Sequence, residues 1–264
     1  MAPPNTIDPT PMSDAQESPQ ETFISHLVEL RSRLLKAFVA ILIVFVALAP
    51  FSKELYSLVA KPLMHALPHG ATMIATDVTG TFLVPLKVTL LAAFLVSLPW
   101  VLWQIWAFVA PGLYKHEKRL VMPLVVTSTL LFYAGVAFCY FIVFKKAFPA
   151  IQRMAPTSVT VSPDIEAYLD FVLTMFLAFG VAFEVPVAVV IVARLGIVSV
   201  DQLRKFRNYY WVCAAGVAGL VTPPDPGSML ALLVPMILLY EVGILVVPLF
   251  IRATQAPDSS SEST

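Results

Sequence analysis

The chain has 264 residues, 58% of them hydrophobic and only 13% charged, with a mean hydropathy of +0.82. Soluble domains carry about 25% charge, and too little polar sequence remains here to cover a soluble globule, so the composition excludes a water-soluble fold and predicts a polytopic membrane protein. Basic and acidic residues balance at zero formal net charge, which leaves no charge excess to attract nucleic acid.

Residues 1–21 are polar and Pro-rich without a basic n-region, and are expected to form a disordered tail, not a signal peptide. A membrane domain is expected over 22–252, and a second polar tail over 253–264. Apolar runs predict six spans, at residues 34–49, 82–109, 120–144, 169–192, 209–221 and 229–250. The expected fold is therefore an all-α, polytopic transmembrane helical bundle. The fifth run is short, and Pro235 lies inside the sixth. Trp100, Trp103 and Trp106 cluster at the far end of the second run, where indoles mark a membrane face. No internal repeat is visible.

Two connections are long. In residues 50–81, "KELYSLVAKPLMHAL" has apolar residues at helical spacing and predicts a short interfacial helix containing Pro62. In residues 145–168, "SPDIEAYLD" predicts a helix start with Ser162 at the cap and Pro163 first. A third turn, "VTPPDPGS", is stiffened by three prolines, with Asp225 and Ser228 available to cap the next helix. Cys139 and Cys213 lie in apolar runs and read as small hydrophobes. No metal-ligand cluster, P-loop or Ser-His-Asp set is identifiable, so neither a cofactor nor an enzymatic centre is expected.

An even number of spans puts both termini on one side, and the positive-inside rule selects it. With both ends cytoplasmic, that side carries Arg31, Arg33 and Lys36, then Lys115, Lys118 and Arg119, then Arg194, Arg204, Lys205 and Arg207, and finally Arg252. The opposite side, with the start of the second span, carries Lys53, Lys61, Lys87, Lys145, Lys146 and Arg153. The bias predicts cytoplasmic termini.

Polar groups inside the spans need reasons, since a charge at mid-bilayer costs about 2.5–3.5 kcal/mol on insertion scales. Glu184 lies in "FGVAFEVPV", where Pro186 predicts a kink. An interhelical hydrogen bond and a polar indentation lined by the acid are both open readings. Glu241 follows Pro235 in the last span, and that span can slide to bring it near an interface. Lys87 can snorkel. On the cytoplasmic side, Glu29 in "SHLVELRSRLL" and Glu117 in "YKHEKR" are single acids among basic residues. Two carboxylates at similar depth suit a ligand with two guanidinium groups, each bound bidentately. Ordinary juxtamembrane decoration is the competing reading.

The blocks "SHLVELRSRLL", "MIATDVTGTF", "WQIWAFVAPGLYKHEKR", "FGVAFEVPV" and "VTPPDPGSMLALLVPMILLYE" resemble, in this order, the TatC family, the multispanning core of the twin-arginine protein translocase. The resemblance covers about residues 22–252. It implies six spans with cytoplasmic termini, a curved, glove-like bundle in the bacterial inner membrane, and last two helices too short to cross fully. It implies a receptor for the paired-arginine signal peptides of folded cargo, driven by the proton-motive force and working with TatA-like and TatB-like single-span partners, with self-association and contact with membrane lipid. Carried over by position, it assigns signal-peptide binding to Glu29 and Glu117 and includes Phe108 in that surface, with Arg31 and His116 beside them. It makes Glu184 the embedded glutamate of the concave face, and puts Pro62 and Asp225 in the external cap and last external turn. Where the family has Ser-Gln, this chain has Ser228-Met229, so a single-span partner contact there loses an amide. A different class also stays open: a proton- or ion-coupled small-molecule transporter using Glu184 and Glu241.

Overall fold

Backbone polar groups in a bilayer must be satisfied within the protein, and helices do this within one segment. The computed structural model describes residues 19–66, 73–109, 121–154, 162–222 and 226–252, and these are almost wholly helical. Helix α1 (Pro19–Leu48) passes through a tight turn at Ala49–Phe51, set by Pro50, into α2 (Ser52–Ala66). Next come α3 (Val78–Val109) and α4 (Val121–Phe138). One wide π turn at Cys139–Val143 carries α4 into α5 (Phe144–Met154). Helices α6 (Ile165–Phe183) and α7 (Val185–Arg194) make one bent rod, followed by α8 (Val200–Val221) and α9 (Pro226–Arg252).

The expected interfacial helix is α2, which buries Val59, Ala60 and Leu63 and exposes Lys53, Glu54 and Lys61. Among the described residues, five helical stretches are long and apolar enough to cross a membrane: Ile24–Met64, Val78–Val109, Val121–Pro149, Ile165–Arg194 and Pro226–Pro248. The fifth expected span, residues 209–221, lies in α8, which is not among them. The last two helices are not short, in contrast to what the sequence suggested. Helix α8 has 22 residues because a capping box, Ser199 with Gln202, starts it inside polar sequence. Helix α9 has 27 residues and runs through Pro235 without ending. What is short is the apolar part of α8, not its helix.

A second correction concerns the start of α6. Asp164, not Ser162, is the N-cap, and its carboxylate accepts from the Ala167 amide. Pro163 therefore lies before the helix and not in its first turn. Its carbonyl instead accepts from the Ile74 amide, and the Ile165 amide donates back to Ile74.

The core runs along α3, the π turn and α6, with Val84, Phe144, Leu169, Val172 and Phe179 fully enclosed. Two glycines let α4 and α6 approach. A Cβ on Gly135 would lie 2.5 Å from the Phe179 carbonyl oxygen, and one on Gly180 would lie 2.4 Å from the Phe132 ring. Small residues at such crossings are how membrane helices gain contact without a hydrophobic drive between them. Helix α1 packs mainly on α3, and most of its large apolar side chains, such as Leu34, Phe38 and Ile43, face outward.

Candidate functional site

The segment "SHLVELRSRLL" is helical throughout, continuous with the first span. Helical spacing puts Glu29 and Arg33 one turn apart. Arg33 donates from Nε at 2.9 Å and from its terminal nitrogen at 2.6 Å, both to Glu29 Oε1. The acid remains partly exposed, and its Oε2 is left for another donor. Arg31 points away and is exposed, lining a shallow depression with Val28, Ser32, Leu35 and Lys36. One turn before Glu29, His26 stacks on Phe108 at the end of α3, with ring centroids 4.2 Å apart. The structure thus brings the Glu29 helix and Phe108 onto one surface. His26, to which sequence reasoning assigns no role, is part of it. Glu117 and His116 lie outside the described residues, as does Asp225.

The two embedded acids have different surroundings. Glu184 sits at the break between α6 and α7, where Pro186 has no amide to continue the ladder. Its carboxyl oxygens are enclosed and accept no hydrogen bond of good geometry. The polar group beside them is the Ser128 hydroxyl on α4, which accepts from Trp106 Nε1 at 3.1 Å. Glu241 on α9 is instead paired with Arg207 on α8 at 2.7 Å. The helices are clamped alongside: Tyr210 and Tyr240 stack at 4.1 Å, the Tyr240 hydroxyl donates to the Leu203 carbonyl, and the Tyr210 hydroxyl donates to the Met236 carbonyl. The pattern of Glu241 alone could not reveal this, because Arg207 is 34 positions earlier in a segment read as a polar connection.

At the α2 end, Pro62 is half-buried inside its helix. Ser228 is buried and Met229 packs on the core beside α8, with its Cε 3.9 Å from where a Cβ on Gly219 would be. Met229 thus makes an apolar contact where an amide would have sought partners. Lys87 does not simply snorkel: it bridges Glu166 and Asp170 on α6, at 2.9 Å each. Asp164 also accepts from the Thr76 amide and hydroxyl. The bond to the Ala167 amide holds the Asp164 carboxyl below the usual carboxylate range, with the Thr76 bonds acting in the same direction. The Thr79 hydroxyl and amide do the same for Asp77.

Comparison with known proteins bears on what this arrangement serves. The family model described as "Sec-independent protein translocase protein (TatC)" matches residues 25–235. The chain is 49% identical over 235 residues to a Sec-independent protein translocase protein TatC of Haemophilus influenzae, covering 89% of this chain and 91% of that one. It is 50% identical over 224 residues to the protein of the same name from Escherichia coli, covering 85% and 87%. A crystal structure titled as the twin arginine translocase receptor TatC superposes with a TM-score of 0.75 at 33% identity, covering 86% of this chain and all of that one.

Proposed function

The chain belongs to the TatC family of Sec-independent protein translocase proteins, and on that premise we propose that it is the core receptor of a twin-arginine translocase, binding the paired-arginine signal peptides of folded precursors. The observation that carries the reading is the family match over most of the chain, together with a solved relative titled as the receptor. The transporter alternative is not supported: the family is a translocase, and Glu241, one of its two proposed relay groups, is held by Arg207.

The surface around Glu29 supports the reading chemically. Arg33 occupies Oε1 and fixes the carboxylate. An incoming guanidinium is then met by Oε2, or by both oxygens once Arg33 is displaced. Guanidinium–carboxylate pairing is bidentate and planar, which gives it direction as well as energy. The stacked His26–Phe108 pair beside it offers an aromatic platform, suited to the stem of an arginine or an adjacent apolar residue. Glu117 is the proposed second carboxylate, with His116 and Arg31 at the edge of the site. The receptor is not an enzyme in this reading. Its termini are cytoplasmic in the bacterial inner membrane, its partners are TatA-like and TatB-like single-span proteins and further copies of itself, and the proton-motive force drives export. Glu184, enclosed beside the Ser128 hydroxyl, is the proposed polar contact for an inserted signal-peptide or partner helix.

The test is photocrosslinking. A photoreactive residue at Leu30 or Lys115 should capture a twin-arginine precursor and lose it when the precursor carries a Lys-Lys pair. Equal capture of both precursors would overturn the reading.

A further inference from the structure

We propose that the groove between α2, α3 and the α4–α5 rod holds one acyl chain of an anionic phospholipid, with the lipid phosphate met by Lys61. This goes beyond the receptor function and does not rest on it.

The groove has a volume of about 480 Å³, inside the ~300–1,000 Å³ range of small-molecule sites. Its walls are Leu58 and Val59 of α2, Leu91 and Leu95 of α3, and Val136 and Phe141 of the rod. Tyr133 and Tyr140 also line it, but their hydroxyls are already committed. Tyr133 donates to the Leu95 carbonyl at 2.7 Å and Tyr140 to the Leu58 carbonyl at 2.9 Å. They turn ring surface to the groove. Among the described residues, Lys61 is the one charged side chain lining it; it is exposed and has no ion pair among them.

The occupant must therefore be apolar along its length and anionic at one end. Length and charge select the candidate. Val88 and Leu95 line the groove seven residues apart on α3, so it extends about 10 Å along the helix at 1.5 Å per residue. A groove confined to one leaflet, apolar along its walls and with a lysine as its charged lining group, matches an acyl chain carrying an anionic headgroup. The groove runs from the interfacial helix α2 toward the middle of α3, covering about two thirds of one leaflet's ~15 Å of hydrocarbon. Lys61 on α2 then lies at the depth of the headgroup.

The test uses the full chain in detergent with phosphatidylglycerol or phosphatidylcholine of identical acyl composition, and reads retained lipid by native mass spectrometry. The wild type should retain phosphatidylglycerol about fivefold better, the size of one lysine's attraction to a net anionic headgroup at a membrane surface, because the choline cation of phosphatidylcholine offsets its phosphate. Lys61→Ala should reduce retention to the phosphatidylcholine level. Ala137→Trp, which fills the groove from the rod, should lower retention of both lipids, and Ala92→Phe fills it from α3 should the first variant fail to fold. Equal retention of the two lipids by the wild type would overturn the proposal, as would a preference that survives Lys61→Ala. Unchanged retention in a folded groove-filling variant would also overturn it. A photoreactive residue at Phe141 should capture lipid; capture of a protein helix instead would assign the groove to a different occupant and overturn the lipid reading.

Discussion

At the α2 end of the bundle, polar side chains tie together parts of the chain that are far apart in sequence. Asp164 reaches Thr76 across 88 positions, Lys87 bridges two acids on α6, and the Tyr168 hydroxyl donates to the Val59 carbonyl across 109. On the α1–α3 face at the other end, the described polar contacts are local. Glu29 pairs with Arg33 one turn away, and the contact between the two helices there is a ring stack, not an ion pair. The first pattern uses its charges up within the fold. The second keeps a carboxylate partly open on a surface whose helix does not need it for packing. Cross-linked polar groups resist rearrangement, whereas a locally paired, partly exposed one can exchange partners at little cost, since an exposed i,i+4 pair contributes only about 0.3–0.5 kcal/mol. On the proposed reading, the contrast separates a supporting end from a receiving end.

The strongest way to break this contrast is charge reversal at the receiving end. Glu29→Lys places a cation beside Arg31 and Arg33 where a guanidinium should dock. Binding of a fluorescent twin-arginine peptide to the solubilised protein should fall at least about tenfold, the scale of one lost charge-assisted pair, while the thermal midpoint in detergent stays nearly constant. A protein that unfolds, or one that binds normally, would make Glu29 a structural residue after all.

Glu184 sits between the two ends and sharpens the comparison from the middle. Glu184→Gln keeps an acceptor and adds donors, so export of a folded precursor into inverted vesicles should remain substantial. Glu184→Ala should lose several-fold more, with twin-arginine binding largely intact in both. Full export by the Ala variant would show that its enclosed carboxyl serves packing only, and loss of initial binding in both would assign it to recognition.

At the supporting end, Lys87→Met removes the bridge to Glu166 and Asp170. Lys87 is about a third exposed, so screening reduces its value, and the expected loss is about 1 kcal/mol or less in a denaturant titration of the micelle-bound protein. Peptide binding should not change. A binding defect here would mean the two ends are coupled and the division is wrong.

How far the sequence reaches follows the same division. Runs of apolar residues announce spans, Pro186 announces the bend after Glu184, and the helical spacing of apolar residues in "KELYSLVAKPLMHAL" announces α2, because each is a local property of a helix. The Glu29–Arg33 pair is equally local, one helical turn. The Lys87 bridge, the Arg207–Glu241 pair and the Ser128 hydroxyl beside Glu184 join segments that the pattern of neither partner specifies. The length of α8 was missed for a related reason: hydropathy marks where a helix is greasy, not where its hydrogen-bond ladder starts, and Ser199–Gln202 starts it in polar sequence. Phe108 entered through the family resemblance. Its partner His26 has no signal in a single sequence, although an aromatic on an amphipathic turn next to a span was available to be noticed.

The smallest expected effect concerns acid. The bonds from the Ala167 amide and from Thr76 favour the ionised Asp164, so its folded-state pKa is depressed. A depressed carboxylate adds stability that is fully present above the unfolded value, about 3.9, and is lost as pH falls through the folded value. Asp164→Asn isolates this contribution, because Asn still caps a helix but carries no charge at any pH. Asp77, the neighbouring acid with the same direction of shift, is present in both proteins; the Asp164 charge opposes its ionisation, so in the variant Asp77 ionises more readily and offsets a small part of the gap. The wild type should therefore have the higher thermal midpoint at pH 6, and the gap should close as pH falls below about 4. The effect is modest because Asp164 is open to solvent and its charge is screened. Peptide binding at pH 7 should be the same in both proteins, since the cap lies at the supporting end. A gap that persists undiminished to pH 3 would show that Asp164 acts through shape and not charge, and a peptide-binding difference would again join the two ends that the structure keeps apart.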